Sequence, residues 1–78
     1  MSNGAKSGVL WHRLFARGIA HLAPLGDETL VCDNGGELWT VNPEGDMLTL
    51  VHLPGPSSIV SADDEGVHIV CGREIWRI

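Results

Sequence analysis

The sequence is poor in the features that mark membrane proteins, secreted proteins and nucleic-acid-binding proteins. Its 78 residues contain only five Lys and Arg against ten Asp and Glu. A body with so few basic residues does not bind nucleic acid through its overall field, because such binding needs clustered Lys and Arg. No apolar run approaches the roughly 18 residues of a membrane span, and residues 1–8 lack the pattern of a signal peptide. We therefore expect a cytoplasmic protein that binds neither membranes nor nucleic acid directly.

Motifs of catalysis and metal binding are also missing. The chain contains no P-loop, no Gly-x-Gly-x-x-Gly and no Ser–His–Asp order, and its acidic pairs lie on tight turns, where carboxylates serve turn geometry. Cys32 and Cys71 form no Cys-x-x-Cys pair, and the spacing of the four histidines matches no zinc module. We predict a protein that is not an enzyme, without catalytic residues, metal or cofactor. Both cysteines are expected as small buried apolar residues with free thiols.

Turn-forming residues are abundant. Ten Gly and four Pro separate short runs rich in Val, Ile, Thr and Trp, which favours strands. Asp33–Gly36 and Asp63–Gly66 are strong hairpin signals. The pattern predicts eight short antiparallel strands in one small all-β domain over residues 9–78, after a disordered lead at residues 1–8. The first strand is predicted over 9–15, although a short helix over 9–17 stays open as the alternative.

A shift of 39 residues aligns the chain with itself. Leu30-Val31-Cys32 falls on Ile69-Val70-Cys71, and Val9 and Leu14 fall on Leu48 and Leu53. After a two-residue shortening of the hairpin, Glu37-Leu38-Trp39 falls on Glu74-Ile75-Trp76. This predicts an internal repeat, with repeat one over 9–41 and repeat two over 48–78, folded as two four-stranded antiparallel meander sheets. Trp39 and Trp76 then take equivalent positions, either in the core or on a ligand platform.

Two parts of the chain resemble blades of a β-propeller of the quinoprotein, NHL and TolB type. They are Ser58–Cys71 followed by Arg73–Ile78, and Leu38–Gly45. A period of about 40 residues with four strands is typical of such blades. The resemblance implies two blade-like units, but the cofactor motifs of these families are absent. Two blades do not close a ring of four to eight, so the chain either assembles with copies of itself or packs its two sheets as a sandwich.

The charge pattern provides the functional hypothesis. Residues 1–18 carry Lys6, Arg13 and Arg17 and no acid, whereas the rest of the chain carries all ten acids, for a net charge of −5. In size and charge the protein resembles small phage-encoded inhibitors such as anti-CRISPR proteins. The resemblance implies a protein partner whose basic, nucleic-acid-binding surface is occluded. The predicted partner-binding residues are Asp27, Glu28, Glu44, Asp46, Asp63, Asp64, Glu65 and, as an exposed apolar anchor, Trp11.

An alternative function follows from the blade-like units. A two-blade unit of an oligomeric β-propeller would bind a carbohydrate or another ligand, as a lectin does. This alternative predicts a stable oligomer, with contacts near Trp39 and Trp76. The sequence leaves the choice between a monomer and a homo-oligomer open.

Overall fold

The computed structural model describes residues 8–78, which form two antiparallel β-sheets and no helix. The first sheet has the strand order β1-β2-β3-β4 and the second β5-β6-β7. This confirms the predicted all-β class with two antiparallel sheets. The predicted lead lies outside the described residues, except for Gly8. The strands are β1 (Ile19–Leu25), β2 (Glu28–Asp33), β3 (Glu37–Val41), β4 (Met47–His52), β5 (Ser57–Asp63), β6 (Gly66–Cys71) and β7 (Glu74–Arg77).

The number of strands differs from the prediction of two four-stranded sheets. Residues 9–17 form neither the predicted strand nor the alternative helix. The fourth strand of the first sheet is β4, and the second sheet has three strands. The sheets therefore divide the chain into 19–52 and 57–77, and not into 9–41 and 48–78. Val9–Phe15 has the alternation of a strand, but no strand among the described residues pairs with its backbone.

Residues 9–17 instead run along the outer face of the first sheet, which is the face directed away from the second sheet. At one end the Trp11 Nε1–H donates to the carbonyl of Pro43, at 2.9 Å. At the other end Asn34 Nδ2 donates to the carbonyl of Arg17, also at 2.9 Å. Between them the ring of Phe15 meets Trp39 edge-on, with centroids 5.8 Å apart. The segment therefore covers this face with side chains, without extending the sheet.

The hydrophobic core lies between the two sheets. Alternation places one side of each strand in it, as Val67, Ile69 and Cys71 show in β6. β1 and β5 pack against each other where the sheets meet. There the backbone N–H of Ile59 donates to His21 Nδ1 at 2.6 Å. The buried core residues are Leu30, Cys32, Leu38 and Leu53 from the first sheet and its exit, and Ile59, Val67, Ile69 and Cys71 from the second sheet.

The β2–β3 and β6–β7 hairpins differ in register, so Trp39 and Trp76 do not take equivalent positions. Cys32 lies opposite Leu38 in the first sheet, whereas Cys71 lies opposite Glu74 in the second. This difference of one residue reverses the faces, because successive side chains in a strand point to opposite sides. Trp39 consequently lies on the outer face under Phe15, whereas Trp76 packs against the core. The predicted equivalence of the two tryptophans is wrong.

Candidate functional site: an acidic end with an apolar groove

Three turns lie at the same end of the molecule. In an antiparallel meander every second turn returns to the same side, so the β1–β2 and β3–β4 turns of the first sheet lie together. The β5–β6 turn joins them, because Gly26 of the β1–β2 turn and residues 63–66 line one groove. The remaining turns lie at the opposite end. The topology therefore brings together turns that are far apart in the sequence.

These three turns carry seven of the ten acidic residues of the chain. We call this surface the acidic end. Its members are all seven acids predicted to bind a partner: Asp27, Glu28, Glu44, Asp46, Asp63, Asp64 and Glu65. None of the seven forms an ion pair with a residue within 8–78. At the opposite end, by contrast, Glu37 lies 3.8 Å from Arg17 and 3.5 Å from His52. Seven of the ten acids are thus concentrated on one surface, which also carries Arg77, whose guanidinium donates to the carbonyl of Glu65.

Two carboxylates of the acidic end also hold their own turns. Asp63 Oδ1 accepts the backbone N–H of Glu65 at 2.9 Å. In the β3–β4 turn Asn42 Oδ1 accepts the N–H groups of Glu44 and Asp46, and Asn42 Nδ2 donates to the Asp46 carboxylate at 3.3 Å. These local bonds are the usual reason for Asn and Asp in turns. They fix the backbone while the exposed side chains of Glu44 and Glu65 remain directed to solvent.

An open groove of about 580 Å³ lies beside these turns. Apolar side chains line it together with the acidic turn of residues 63–66, and no His, Cys or Ser is among the lining residues. The groove can therefore take an apolar group that is flanked by positive charge. Its apolar lining consists of Leu25, Leu50, Val67 and Ile78.

Trp11 lies at the acidic end, but not as the freely exposed anchor that was predicted. It is half-buried against the β3–β4 turn, where its indole N–H donates to Pro43. A Cβ atom built on Gly45, which has a φ of +88°, would lie 2.7 Å from Trp11 Cγ. The guanidinium of Arg13 lies 5.9 Å from the centre of the Trp11 ring. Trp11 thus fixes residues 9–17 onto the first sheet, and only part of its surface remains accessible.

The two other tryptophans do not form one ligand platform within a single copy. Trp39 lies on the outer face of the first sheet, where its ring packs under Phe15. Trp76 lies half-buried in the second sheet, and its N–H donates to the Glu74 carboxylate at 3.1 Å. Because they lie on opposite sides of the first sheet, one sugar ring cannot contact both.

The cysteines and histidines are distributed through the structure without forming a site. Cys32 and Cys71 are buried, free thiols of the core, as predicted. Burial raises the pKa of the Cys32 thiol, which keeps it neutral and unreactive. No group of three or more potential metal ligands occurs within residues 8–78. His21 accepts a backbone N–H, and His68 lies 3.2 Å from the Ser61 hydroxyl, so both already have polar partners.

The sequence did not reveal the apolar lining of the groove. Leu48 and Leu50 belong to an apolar run in β4, yet they are 63% and 39% exposed. β4 is an edge strand, and the three-stranded second sheet does not extend far enough to cover it. A run of apolar residues in a strand was the available signal, but it does not distinguish a buried strand from an exposed edge.

Comparison with protein-family models, with curated proteins and with solved structures found no match. Within residues 8–78 there is no helix of the length and apolar character needed to cross a membrane.

Proposed function

We propose that the protein is a non-enzymatic binding module whose acidic end docks onto a basic surface of a protein partner. The observation that carries this proposal is the convergence of seven carboxylates from three turns onto one end, without ion pairs to residues within 8–78. A surface of one sign attracts a surface of the opposite sign, and it increases the rate of association at low salt.

The composition of the groove favours a protein partner rather than a small ion. It combines an apolar lining that includes Leu25 and Val67 with the carboxylates of Asp63, Asp64 and Glu65. Apolar contact supplies binding energy, and the charges around it supply selectivity for Lys and Arg. A basic segment with one apolar side chain has this combination of properties.

In its specific form, the proposal is that the protein is an inhibitor. Basic protein surfaces commonly bind nucleic acid, because phosphate contacts dominate such affinity. A negatively charged module bound to that surface excludes the nucleic acid by occupying the same Lys and Arg side chains. The small size of the protein and its net charge of −5 fit this role, which is that of the phage-encoded inhibitors described above.

A competition experiment tests the proposal. The probe is an arginine-rich nucleic-acid-binding peptide that contains one leucine, bound to a fluorescent oligonucleotide. The protein is expected to release the oligonucleotide, and its affinity for the peptide is expected to fall as salt is raised. Charge reversal in the Asp63→Lys, Asp64→Lys, Glu65→Lys variant is expected to weaken binding about tenfold or more.

A matched pair of single variants controls for net charge. Asp64→Lys changes an exposed acid at the acidic end, and Glu74→Lys makes the same charge change at the opposite end. Only Asp64→Lys should weaken binding, by a factor of about 2–5 as for other rim charges. Equal effects of the two variants, or binding that does not depend on salt, would show that the acidic end is not the contact surface.

A second candidate function is a ligand-binding unit of an assembled β-propeller. The favouring observation is that β1 and β5, the first strands of the two meanders, pack against each other while later strands extend outward. Blades around a propeller axis have this arrangement. Titration with a panel of monosaccharides, followed by tryptophan fluorescence, tests it. Saturable binding to one sugar supports the role, and an unchanged emission spectrum across the panel contradicts it.

A further inference from the structure

The second sheet has a free edge at β7, and we propose that residues 9–15 of a second copy of the chain pair with it. The first sheet has β4 as its fourth strand, whereas the second sheet has only three strands. The second copy would supply the fourth strand of the second sheet. Copies would then associate head to tail. This inference is independent of binding at the acidic end, and it describes an assembly that the second candidate function requires.

The edge itself is open and has apolar residues beside it. β7 pairs only with β6 among the described strands, so one side of its backbone has no strand partner. A fourth strand at this edge would face β4, where Leu48 is 63% exposed. It would also extend the cover over Trp76, which is only half-buried now.

Residues 9–15 have the sequence of the missing strand. Shifted by 39, Val9 and Leu14 fall on Leu48 and Leu53, so this segment corresponds to β4 and its exit. The segment alternates as a strand does. Trp11 and Phe15 contact their own first sheet, while Leu10 and Leu14 are 89% and 88% exposed. An exposed strand-like segment and an exposed strand edge on the same chain are complementary surfaces.

The directions of the two segments agree with antiparallel pairing. Residues 11–17 run from the acidic end to the opposite end of the first sheet, as the contacts to Pro43 and Asn34 show. β7 runs the other way, towards the acidic end, where Arg77 donates to the carbonyl of Glu65. Cyclic symmetry turns the acidic ends of all copies to the same side. The segment of one copy and β7 of the next are then antiparallel, as β3 and β4 are.

The pairing requires no displacement of the segment from its own sheet. Residues 9–17 lie on the outer face of the first sheet, and the outer face of the second sheet exposes Val60, Val70 and Ile75 by 64%, 39% and 78%. Packing these two faces together brings the segment beside β7 of the neighbouring copy. A head-to-tail contact closes into a ring when the rotation between copies divides a full turn, and about two to four copies would then provide the four to eight sheets of a propeller.

Charge also favours this occupant. Residues 9–18 carry Arg13 and Arg17 and no acid, whereas the remainder of the chain is strongly acidic. In the first sheet, Glu37 at the start of β3 pairs with His52 of β4, at 3.5 Å. Arg17 and Glu74 lie at the same end of the molecule, away from the acidic end, and Glu74 begins β7 as Glu37 begins β3. We therefore expect Arg17 of one copy to meet Glu74 of its neighbour.

Solution mass tests the inference, with sedimentation equilibrium of the full chain over a range of protein concentrations. The expected mass is about two to four times the 8.4 kDa of one chain. The Leu10→Asp, Leu14→Asp variant and the Ile75→Asp variant should both sediment as single chains. All three positions are exposed within one copy, so circular dichroism should show unchanged strand content. Pro54→Asp places the same charge on an exposed loop at the opposite end and should leave the mass unchanged.

A charge exchange tests the partner of the segment. Arg17→Glu and Glu74→Arg should each weaken association about fivefold at low salt, and the double exchange should restore it. A single-chain mass for the wild-type protein at every concentration would overturn the inference, and it would indicate that another molecule covers this face. An oligomer that survives the Leu10, Leu14 and Ile75 changes would overturn it as well. No partner is added in these measurements, so their failure is distinguishable from failure at the acidic end.

Discussion

The two sheets are built from similar sequence, but only the first is covered on both faces. Its inner face packs on the second sheet, and its outer face lies under residues 9–17, with Phe15 against Trp39. The second sheet has one strand fewer, and its outer face leaves Val60 and Ile75 exposed. The difference shows that a β-sheet face is buried only where another segment of the chain packs against it.

Leu38 and Ile75 show the same difference at the level of one residue. Both follow a Glu and precede a Trp, yet Leu38 is fully buried and Ile75 is 78% exposed. The cause is the register, because Leu38 lies opposite the core residue Cys32 while Ile75 lies opposite Val70. A shift of one residue turns the side chain from the core to solvent.

The largest expected difference between the sheets is the response to truncation at these two positions. Leu38→Ala removes a fully buried side chain and should lower the free energy of unfolding by about 2–5 kcal/mol. Ile75→Ala should change it by no more than about 0.5 kcal/mol within a single copy. Urea unfolding followed by tryptophan fluorescence, at low protein concentration, measures both. Similar losses at the two positions would mean that Ile75 is buried in solution.

The β2–β3 turn of the first sheet and the β6–β7 turn of the second provide the next comparison. Gly36 and Gly72 have φ of +91° and +61°, so Ala is strained at both. Only at Gly36 would a Cβ also collide with backbone, 2.5 Å from the Gly55 carbonyl oxygen. Gly36→Ala should therefore lower stability by more than about 2 kcal/mol, and Gly72→Ala by about 1 kcal/mol. Thermal unfolding of both variants measures this difference, and equal losses would contradict the close approach of the β4–β5 connection.

The smallest expected difference is in pH dependence. Burial alone raises the pKa of the Asp33 carboxyl, but the N–H groups of Glu37 and Gly35 that donate to it hold the pKa below its ordinary value of 3.8. The corresponding turn of the second sheet, at residues 72–73, has no such carboxylate. The contribution of Asp33 to stability is complete above pH 3.8 and is lost as the pH falls through the lower pKa of the folded protein.

Asp33→Ala tests this contribution. The variant should lose about 1–2 kcal/mol at neutral pH, because two backbone N–H groups lose their acceptor. The loss should shrink as the pH falls below 3.8, because the Asp33 carboxylate is then protonated first in the unfolded and, at lower pH, in the folded wild-type protein. Urea unfolding of both proteins between pH 3 and 7 provides the measurement. A difference that is independent of pH would mean that the charge of Asp33 does not contribute.

Much of the fold could be predicted from local sequence. Turn signals at Asp33–Gly36 and Asp63–Gly66 separate the strands where the structure separates them, because Gly, Asn and Asp stabilise tight turns whatever surrounds them. The pattern of 9–15 misled the prediction, because alternation specifies a face of a segment and not the partner of its backbone. The groove could not be predicted from local sequence, because its apolar lining comes from β1, β4, β6 and Ile78, which are far apart in the chain.

By itself, the sequence determined the all-β class, the places of the turns, the burial of the two cysteines and the excess of acids after residue 18. These properties depend on neighbouring residues or on composition, so the order of residues is enough to specify them. Tertiary structure alone decided that seven acids share one end, that Trp39 and Trp76 lie on opposite sides of the first sheet, and that one sheet keeps an open face. The reason is physical: these properties depend on strand register and on which distant segments pack together, and a difference of one residue in register reverses the face to which a side chain points.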